Sequence, residues 1–303
     1  MTDLLVSTLI QGLIYAMVSF GVYITYSILD FPDLGVDGTF PLGAAVTAVL
    51  LTRGVDPFLT LPLAMLAGAA AGLITGLIHV KLKVRNLLAG IITMTALFSV
   101  HLQIAGSNLA VGREIDTIFT AAPTMALLGG LSLTGRKLAV SLLLVLAVKL
   151  LLDLYVRTKS GLLLRAAGDN PGLVSALAKN VGSVKLLGLM LSNALVALGG
   201  ALACQELRSY SATMGTGQLV YGLAAVIIGV SLMNLLASLL RRRRLLTPSG
   251  TTAVLVGSIL YKLCIQAALS MGLPANLLKL ATAVLFLLVL VFSGRKGEAI
   301  IHA

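Results

Sequence analysis

The chain has 303 residues, of which 58% are hydrophobic and 11% are charged, and its mean hydropathy is +1.04. A folded soluble protein of this length exposes too much surface to hide so many apolar side chains, so the composition excludes an ordinary soluble domain. In a membrane protein, the formal net charge of +11 indicates basic cytoplasmic loops rather than a nucleic acid partner.

Apolar segments recur along the whole chain, and most can cross a hydrocarbon core of about 30 Å, which takes roughly 20 helical residues. The sequence therefore predicts an all-α polytopic membrane protein with about 8–10 transmembrane helices, in a single transmembrane domain over residues 1–303. The first segment lacks a basic region before it and is too long for a signal peptide, so we expect it to be retained. The predicted crossings are 4–28, 40–52, 58–79, 87–105, 138–156, 185–204, 219–240, 251–270 and 275–293.

The second of these segments is too short for a straight crossing. Residues 40–52 would form roughly 20 Å of helix. The stretch before it, LDFPDLGVDGTFPLG at residues 29–43, is rich in glycine and proline, which interrupt helices. We therefore predict one broken or half-helix near 30–52, with an unwound turn leading into it.

Three aspartates lie in that turn, in a chain with few acidic residues. Because aspartate caps helix N-termini and complements the helix dipole, we expect Asp37 to cap the half-helix that begins near Thr39. Two alternatives remain open for Asp30, Asp33 and Asp37. They could contact a cationic group of a substrate, or they could contact another subunit.

The third segment has glycine every fourth residue, at Gly68, Gly72 and Gly76. Such spacing places small residues on one helix face and lets helix backbones approach closely. Packing within the chain is the favoured interpretation, and a subunit interface is the alternative.

Basic residues in the loops predict the orientation, since cytoplasmic loops carry an excess of Lys and Arg. The loops 80–86, 157–185 and 241–250 and the C-terminal tail hold 14 of them, against 5 in the opposite loops. This bias predicts that the C-terminus lies in the cytoplasm and, if all nine segments cross, that the N-terminus lies outside. The cytoplasmic set is Lys81, Lys83, Arg85, Arg157, Lys159, Arg165, Lys179, Lys185, Arg241, Arg242, Arg243, Arg244, Arg295 and Lys296, and the opposite set is Arg53, Arg113, Arg136, Lys137 and Arg208.

The longest cytoplasmic loop, 157–185, is predicted to hold a short helix. Asn170 suits the N-cap, Pro171 the first helical position, and Gly182 a site just past the helix. Such a helix lies flat on lipid headgroups or docks a soluble subunit. The residues that fall on one face by helical spacing are Leu173, Val174 and Leu177.

The same loop reads TKSGLLLRAAGDNPGLVSALAKNVG and is followed by LSNALVALGGALA. This combination resembles permease subunits of ABC importers of the branched-chain amino acid, ribose and nucleoside group. Four further stretches are similar to an amino-acid-type branch of this group, which is associated with tyrosine or tryptophan uptake. They are residues 29–45, LLAGIITMTALFS at 87–99, GLAAVIIG at 222–229 and VGSILYKL at 256–263. The resemblance covers nearly the whole chain.

The resemblance implies a multi-pass protein of a bacterial-type cytoplasmic (inner) membrane, which forms a homodimer with a path near its axis. It also implies two separate ATPase subunits in the cytoplasm and an external solute-binding protein that delivers a small solute, expected to be an amino acid. ATP and Mg are then expected in the ATPase, with no cofactor in this chain, which lacks the G-x-x-x-x-G-K-[ST] phosphate loop. The chain itself is then no enzyme. The residues implied for ATPase coupling are Arg165, Gly168, Asn170, Pro171, Leu173, Val174 and Leu177.

Polar residues within the apolar segments are the candidates for a translocation path, because ionisable groups in a membrane are costly and often functional. Lys262 could attract a substrate carboxylate, or it could snorkel or pair with a helix end. Threonine and asparagine also bind helices to one another, so packing remains the alternative for them. The candidate set is Asp33, Asp37, Thr39, Thr93, Thr95, Asn193 and Lys262.

Three further positions are expected to be structural. Lys149 and Asp153 are four residues apart and are expected to pair, and His101 is expected to pack or to form hydrogen bonds. Two isolated cysteines and scattered histidines predict no metal site. The rival functional hypothesis is an ion-coupled secondary transporter, which would require a mid-membrane acid within a repeat.

Overall fold

The computed structural model describes residues 2–239, 249–272, 274 and 277–297. Their structure is helical apart from loops, turns and two short strands, which confirms the all-α prediction. The elements are α1 Thr2–Val22, a π-helical turn Tyr23–Ile28, α2 Val36–Thr52, α3 Pro57–Val80, α4 Asn86–Ala105, β1 Asn108–Ala110, α5 Ala122–Leu128, α6 Leu133–Arg157, α7 Lys159–Asp169, α8 Pro171–Ala176, α9 Val181–Leu207, β2 Ser209–Ser211, α10 Gln218–Leu239, α11 Gly250–Ser270 and α12 Leu278–Gly297.

Seven helices of the described part are long and apolar enough to cross a membrane, namely α1 with its π-helical turn, α3, α4, α6, α9, α10 and α11. Helix α2 is apolar but shorter. Helix α12 overlaps the ninth predicted segment, 275–293, and extends to Gly297. The four arginines at 241–244 that contribute to the predicted orientation lie outside the described residues.

Helix α9 lies at the centre of the bundle and packs against α1, α2 and α3. Its neighbours approach closely because their contact positions are glycines. A side chain at Gly68 would overlap the backbone carbonyl of Asn193, and one at Gly72 would overlap that of Leu189. The favoured interpretation of the glycine spacing, packing within the chain, is therefore confirmed.

Helix α1 ends in a π-helical turn, and the chain then leaves helical geometry over residues 29–35, called here the elbow. Asp30 adopts a left-handed backbone conformation with φ of 51°, which aspartate tolerates better than most residues. Helix α2 begins at Val36, three residues before the predicted Thr39. The predicted break and half-helix are confirmed.

At the other end of α2, a two-stranded antiparallel sheet joins the two predicted outer loops. Strands β1 and β2 pair with Leu109 opposite Tyr210. The Tyr210 hydroxyl lies 2.7 Å from Nδ1 of buried His101, and burial raises the pKa of Tyr210 to about 12, so its hydroxyl is protonated at neutral pH. His101 therefore has the expected hydrogen-bonding role.

Candidate functional site: a polar network at the elbow

The elbow is fixed by a buried carboxylate. One oxygen of Asp33, Oδ1, accepts a hydrogen bond of 2.8 Å from the backbone N–H of Gly35, which starts the turn into α2. The other, Oδ2, accepts a hydrogen bond of 2.8 Å from Nδ2 of Asn193. Asp33 is 0% exposed, so the network lies entirely inside the protein.

The network continues into the first turn of α2. Oδ1 of Asn193 accepts a hydrogen bond of 2.7 Å from the hydroxyl of Thr39, and Nδ2 also donates to the carbonyl of Leu189. Asn193 lies about 18 Å from the start of α9 at 1.5 Å per residue, well inside that 27-residue helix. The elbow therefore enters the interior of the bundle, as non-helical backbone at membrane depth does when it is buried in protein.

Helices α3 and α4 pack against the elbow from the other side. The hydroxyl of Thr75 donates to that of Thr93 at 3.0 Å, and Thr93 donates to its own helix at Ala89. A Cβ at Gly90 would lie 2.7 Å from the backbone nitrogen of Leu34. A glycine is required there because α4 packs directly on the elbow.

Asp33 is held by neutral donors. The salt bridges of the described part join Lys137 to Glu206 and Lys149 to Asp153, and the second confirms the expected pairing of Lys149 with Asp153. Asp33 takes part in neither of them. A buried carboxylate of this kind depends on every one of its hydrogen bonds.

Asp37 caps a helix, but not the predicted one. Its Oδ2 accepts from the N–H of Gly217 at 3.0 Å and its Oδ1 from the N–H of Leu219 at 2.8 Å. These groups lie at the start of α10, whereas the N-cap of α2 is Gly35 without a side-chain bond. The predicted cap of α2 is therefore wrong, because a cap in space need not be a neighbour in sequence. The carboxylate joins the N-terminal ends of two helices.

Lys262, on α11, lies beside a cluster of aromatic rings. Its Nζ is 3.7 Å from the centre of the Tyr15 ring and 5.4 Å from that of Tyr221, which is cation–π geometry. Tyr15 also packs on Phe40 of α2, with ring centres 5.6 Å apart. Lys262 thus lies near the α2–α10 junction, half-buried among rings rather than paired with an acid within the described residues.

The structure separates the predicted path residues into groups. Asp33, Thr39 and Asn193 share one network, whereas Thr93 forms a separate bond with Thr75. Asp37 and Lys262 lie around the first turns of α2 and α10. Thr95 is exposed on the outer face of α4 and bonds to the carbonyl of Ile91, so it joins neither group. Thr75, which was not predicted, has the same residue type and lies beside Thr93.

The predicted coupling loop folds as two helices, α7 and α8. Asn170 caps α8 as predicted, because its side chain accepts from the N–H of Leu173 at 3.2 Å. Leu173 is 51% exposed and Leu177 is 57% exposed, whereas Val174 is buried. The predicted shared face of these three is therefore wrong for Val174. Helix α8 ends at Ala176.

The predicted role of Gly182 as a helix terminator is also wrong. It lies in the first turn of α9, where its N–H donates to Oδ1 of Asn180. Asn180 is thus an N-cap that starts α9 four residues before the predicted segment 185–204. The chain turns before it with Ala178 at a φ of 55°.

Gly168 connects this coupling region to the elbow. A side chain at Gly168 would overlap the carbonyl oxygen of Ile28, the last residue of the π-helical turn. Beside it, Leu29 packs against Gly188 of α9. Arg165 is exposed on the same helix, α7. A displacement of α7 would therefore press directly on the start of the elbow.

The chain matches the family model described as branched-chain amino acid transport system / permease component over residues 4–293. It is 38% identical to the tyrosine transport system permease protein of Clostridioides difficile (strain R20291) over 283 residues, which covers 93% of this chain and 89% of that protein. It is 28% identical to the ribose import permease protein RbsC of Haemophilus influenzae, covering 77% of this chain and 70% of the relative.

The fold is similar to a solved structure, PsaBC from Streptococcus pneumoniae in complex with Fab. The TM-score is 0.51 at 14% sequence identity, and the match covers 95% of this chain and 90% of that one. At this identity the likeness concerns the fold alone.

Proposed function

The chain belongs to the branched-chain amino acid permease family of ABC transporters, and we propose that it is the membrane-spanning subunit of an importer for an amino acid. The observation that carries the amino acid assignment is the 38% identity to a tyrosine transport system permease over 93% of the chain. The ribose permease relative is 28% identical, so the substrate class is the part of the proposal that experiment must decide.

The proposed assembly has two copies of this chain around a central path. Each copy is a single transmembrane domain over residues 1–303. ATP and Mg bind in separate cytoplasmic ATPase subunits, and an external solute-binding protein delivers the substrate to the loops that carry β1 and β2. The excess of Lys and Arg in one set of loops supports an orientation with α7 and α8 in the cytoplasm of a bacterial inner membrane.

Coupling is proposed to run through α8 and α7 to the elbow. Leu173 lies on α8 and Leu177 directly follows its last residue, and both are exposed apolar side chains, which suits a helix-in-groove contact with an ATPase. Gly168, behind them, touches the carbonyl of Ile28. Nucleotide-driven movement of the ATPase would thus move the elbow, and with it the balance between outward-open and inward-open states.

The path is proposed to run along the elbow and the first turns of α2 and α10. Two helix N-termini meet there, and such ends of broken helices point at substrate groups in many transporters. Lys262 is the proposed contact for a substrate carboxylate, beside the rings of Tyr15 and Tyr221. An ion-coupled transporter is the alternative to be tested, since such a transporter requires an acidic residue inside the bundle and Asp33 is buried there.

Co-purification tests the coupling assignment. The variants Leu173→Asp and Leu177→Asp should lose the ATPase subunit while the permease still inserts, because a charge replaces the docking side chain. Leu162→Asp is the matched control, since Leu162 is also an exposed leucine of this region, at 56%, but lies on α7 outside the docking helix. Retention of the ATPase by both the Leu173 and the Leu177 variant would overturn the assignment.

Competition measures the substrate class. Uptake of labelled tyrosine by the complete transporter should fall in the presence of excess unlabelled amino acids and stay unchanged with ribose or a nucleoside. Inhibition by ribose or a nucleoside alone would contradict the amino acid assignment while leaving the permease assignment intact.

A further inference from the structure

A basic cavity lies where α3 turns into α4 and where α9 begins. It has a volume of about 660 Å³ and is lined on one side by Pro32 of the elbow. Three cationic side chains line it, from Lys83, Arg85 and Lys185, and no acidic residue does. Positive charge is therefore concentrated in a space large enough for a small anionic group.

These three cations are not neutralised by the protein. Within the described residues the salt bridges involve other lysines, Lys137 and Lys149, and no hydrogen bond is formed by the charged groups of the three. Lys83 adopts a left-handed backbone conformation with φ of 55° in the tight α3–α4 turn.

The start of α4 adds to the positive potential. Asn86, its first residue, lines the cavity, and the N-cap Arg85 forms no side-chain bond to the free N–H groups of the first turn. Helix N-termini attract anions, above all where basic side chains converge with them. The cavity thus combines uncapped N–H groups with three cations.

The rim of the cavity is apolar. Leu87, which lines it, is 50% exposed, and Leu88 beside it is also 50% exposed. Ile91 and Ile92 continue this face along α4, at 37% and 49% exposure. An occupant with a charged group and an attached hydrocarbon chain would satisfy both parts of the site, whereas a free inorganic anion would satisfy the cations alone.

We propose that this cavity binds the phosphate headgroup of an anionic phospholipid, whose acyl chain lies along the exposed face of α4. Basic pockets between transmembrane helices bind phosphate headgroups in this way. The lipid would join the α3–α4 turn to the start of α9 directly beside Pro32. It would therefore stabilise the wall against which the elbow packs.

Native mass spectrometry of the full-length permease tests this proposal with phosphatidylglycerol as the probe and phosphatidylcholine as the zwitterionic comparison. The double variant Lys83→Gln/Lys185→Gln should bind phosphatidylglycerol about tenfold more weakly than the wild type, because it lacks two phosphate contacts. The control Lys81→Gln/Lys159→Gln removes the same charge from exposed lysines outside the cavity lining and should change binding by less than about twofold.

Equal weakening in both double variants would overturn the proposal, because attraction would then come from diffuse surface charge. Equal affinity for phosphatidylcholine would overturn it too. A competition experiment with inorganic phosphate distinguishes a lipid headgroup from free phosphate. If millimolar phosphate displaces phosphatidylglycerol completely, the cavity is a site for free phosphate and the lipid assignment is wrong. Thermal unfolding of each variant in zwitterionic detergent checks that it is folded.

Discussion

Asp33 on the elbow accepts a hydrogen bond of 2.8 Å from Nδ2 of Asn193 in the middle of α9, and this bond joins the unwound segment to the central helix of the bundle. The same asparagine accepts from Thr39 on α2. Asn193 therefore binds both the elbow and the first turn of α2. The position of the half-helix depends on one carboxylate and one amide.

Exchanging these two residues tests that dependence. Asp33→Asn places two amide donors against each other, and Asn193→Asp places two carboxylates together, so each single variant should lose about 1–3 kcal/mol of stability. The double variant Asp33→Asn/Asn193→Asp restores a carboxylate that accepts from the other side chain and from Thr39. We expect it to recover part of the loss, because the bond to the carbonyl of Leu189 stays absent, and the melting temperature in detergent measures the recovery. If the double variant loses as much stability as the two single variants lose together, the proposed network is contradicted.

Asp37 should tolerate asparagine poorly, because its two oxygens accept from two different N–H groups, those of Gly217 and Leu219. Asparagine has a single acceptor oxygen and can retain one of these bonds. We expect Asp37→Asn to cost about 1 kcal/mol and Asp37→Ala about 2–3 kcal/mol, measured by thermal unfolding. Hydrogen exchange at the start of α10 should rise in the same order. Equal, unchanged melting of both variants would show that the cap contributes nothing.

Gly168→Ala should reduce coupling without preventing assembly. The new methyl group would overlap the carbonyl of Ile28 and push α7 away from the elbow. We expect the ATPase subunit to remain bound while ATP-driven uptake falls several-fold. The control is Gly130→Ala, outside the coupling region, where a Cβ would have no atom within 4 Å. Uptake by Gly168→Ala equal to that of the control would refute the proposed contact route.

The stability lost on replacing a glycine of α3 with alanine should be largest where α3 lies closest to α9. Alanine at Gly68 or Gly72 would overlap a backbone carbonyl of α9, which cannot move aside, so each should cost about 1–3 kcal/mol. Alanine at Gly76 meets the side chain of Leu186 at 3.1 Å and should cost less. Gly130→Ala, with no atom within 4 Å, is the control. Thermal unfolding measures the order, and a larger effect at Gly76 than at Gly72 would contradict it.

The local features of this fold can be predicted from the sequence. Apolar length predicts the crossings, a short segment after glycine and proline predicts the broken helix, and Asn170 before Pro171 predicts the start of α8. These features depend on neighbouring residues and on helix geometry. The resemblance of whole motifs also predicts the family.

Contacts between distant segments could not be predicted in this way. Asp37 caps α10 across a separation of 180 residues, and nothing in the local pattern indicates which N-terminus it reaches. The contact between Gly168 and Ile28 could not be predicted either, since a single glycine in a helix does not indicate which segment packs against it. Val174 shows the same limit, because helical spacing predicts one face for Leu173, Val174 and Leu177, whereas packing against the rest of the chain buries Val174 alone.

The most direct test of the proposed function is uptake of labelled tyrosine into proteoliposomes that contain this permease, its ATPase subunit and its solute-binding protein. We expect uptake to require ATP, and to be abolished when the phosphate-loop lysine of the ATPase is replaced by alanine. Uptake that persists with the inactive ATPase and instead follows a proton or sodium gradient would contradict an ATP-driven importer and establish an ion-coupled transporter.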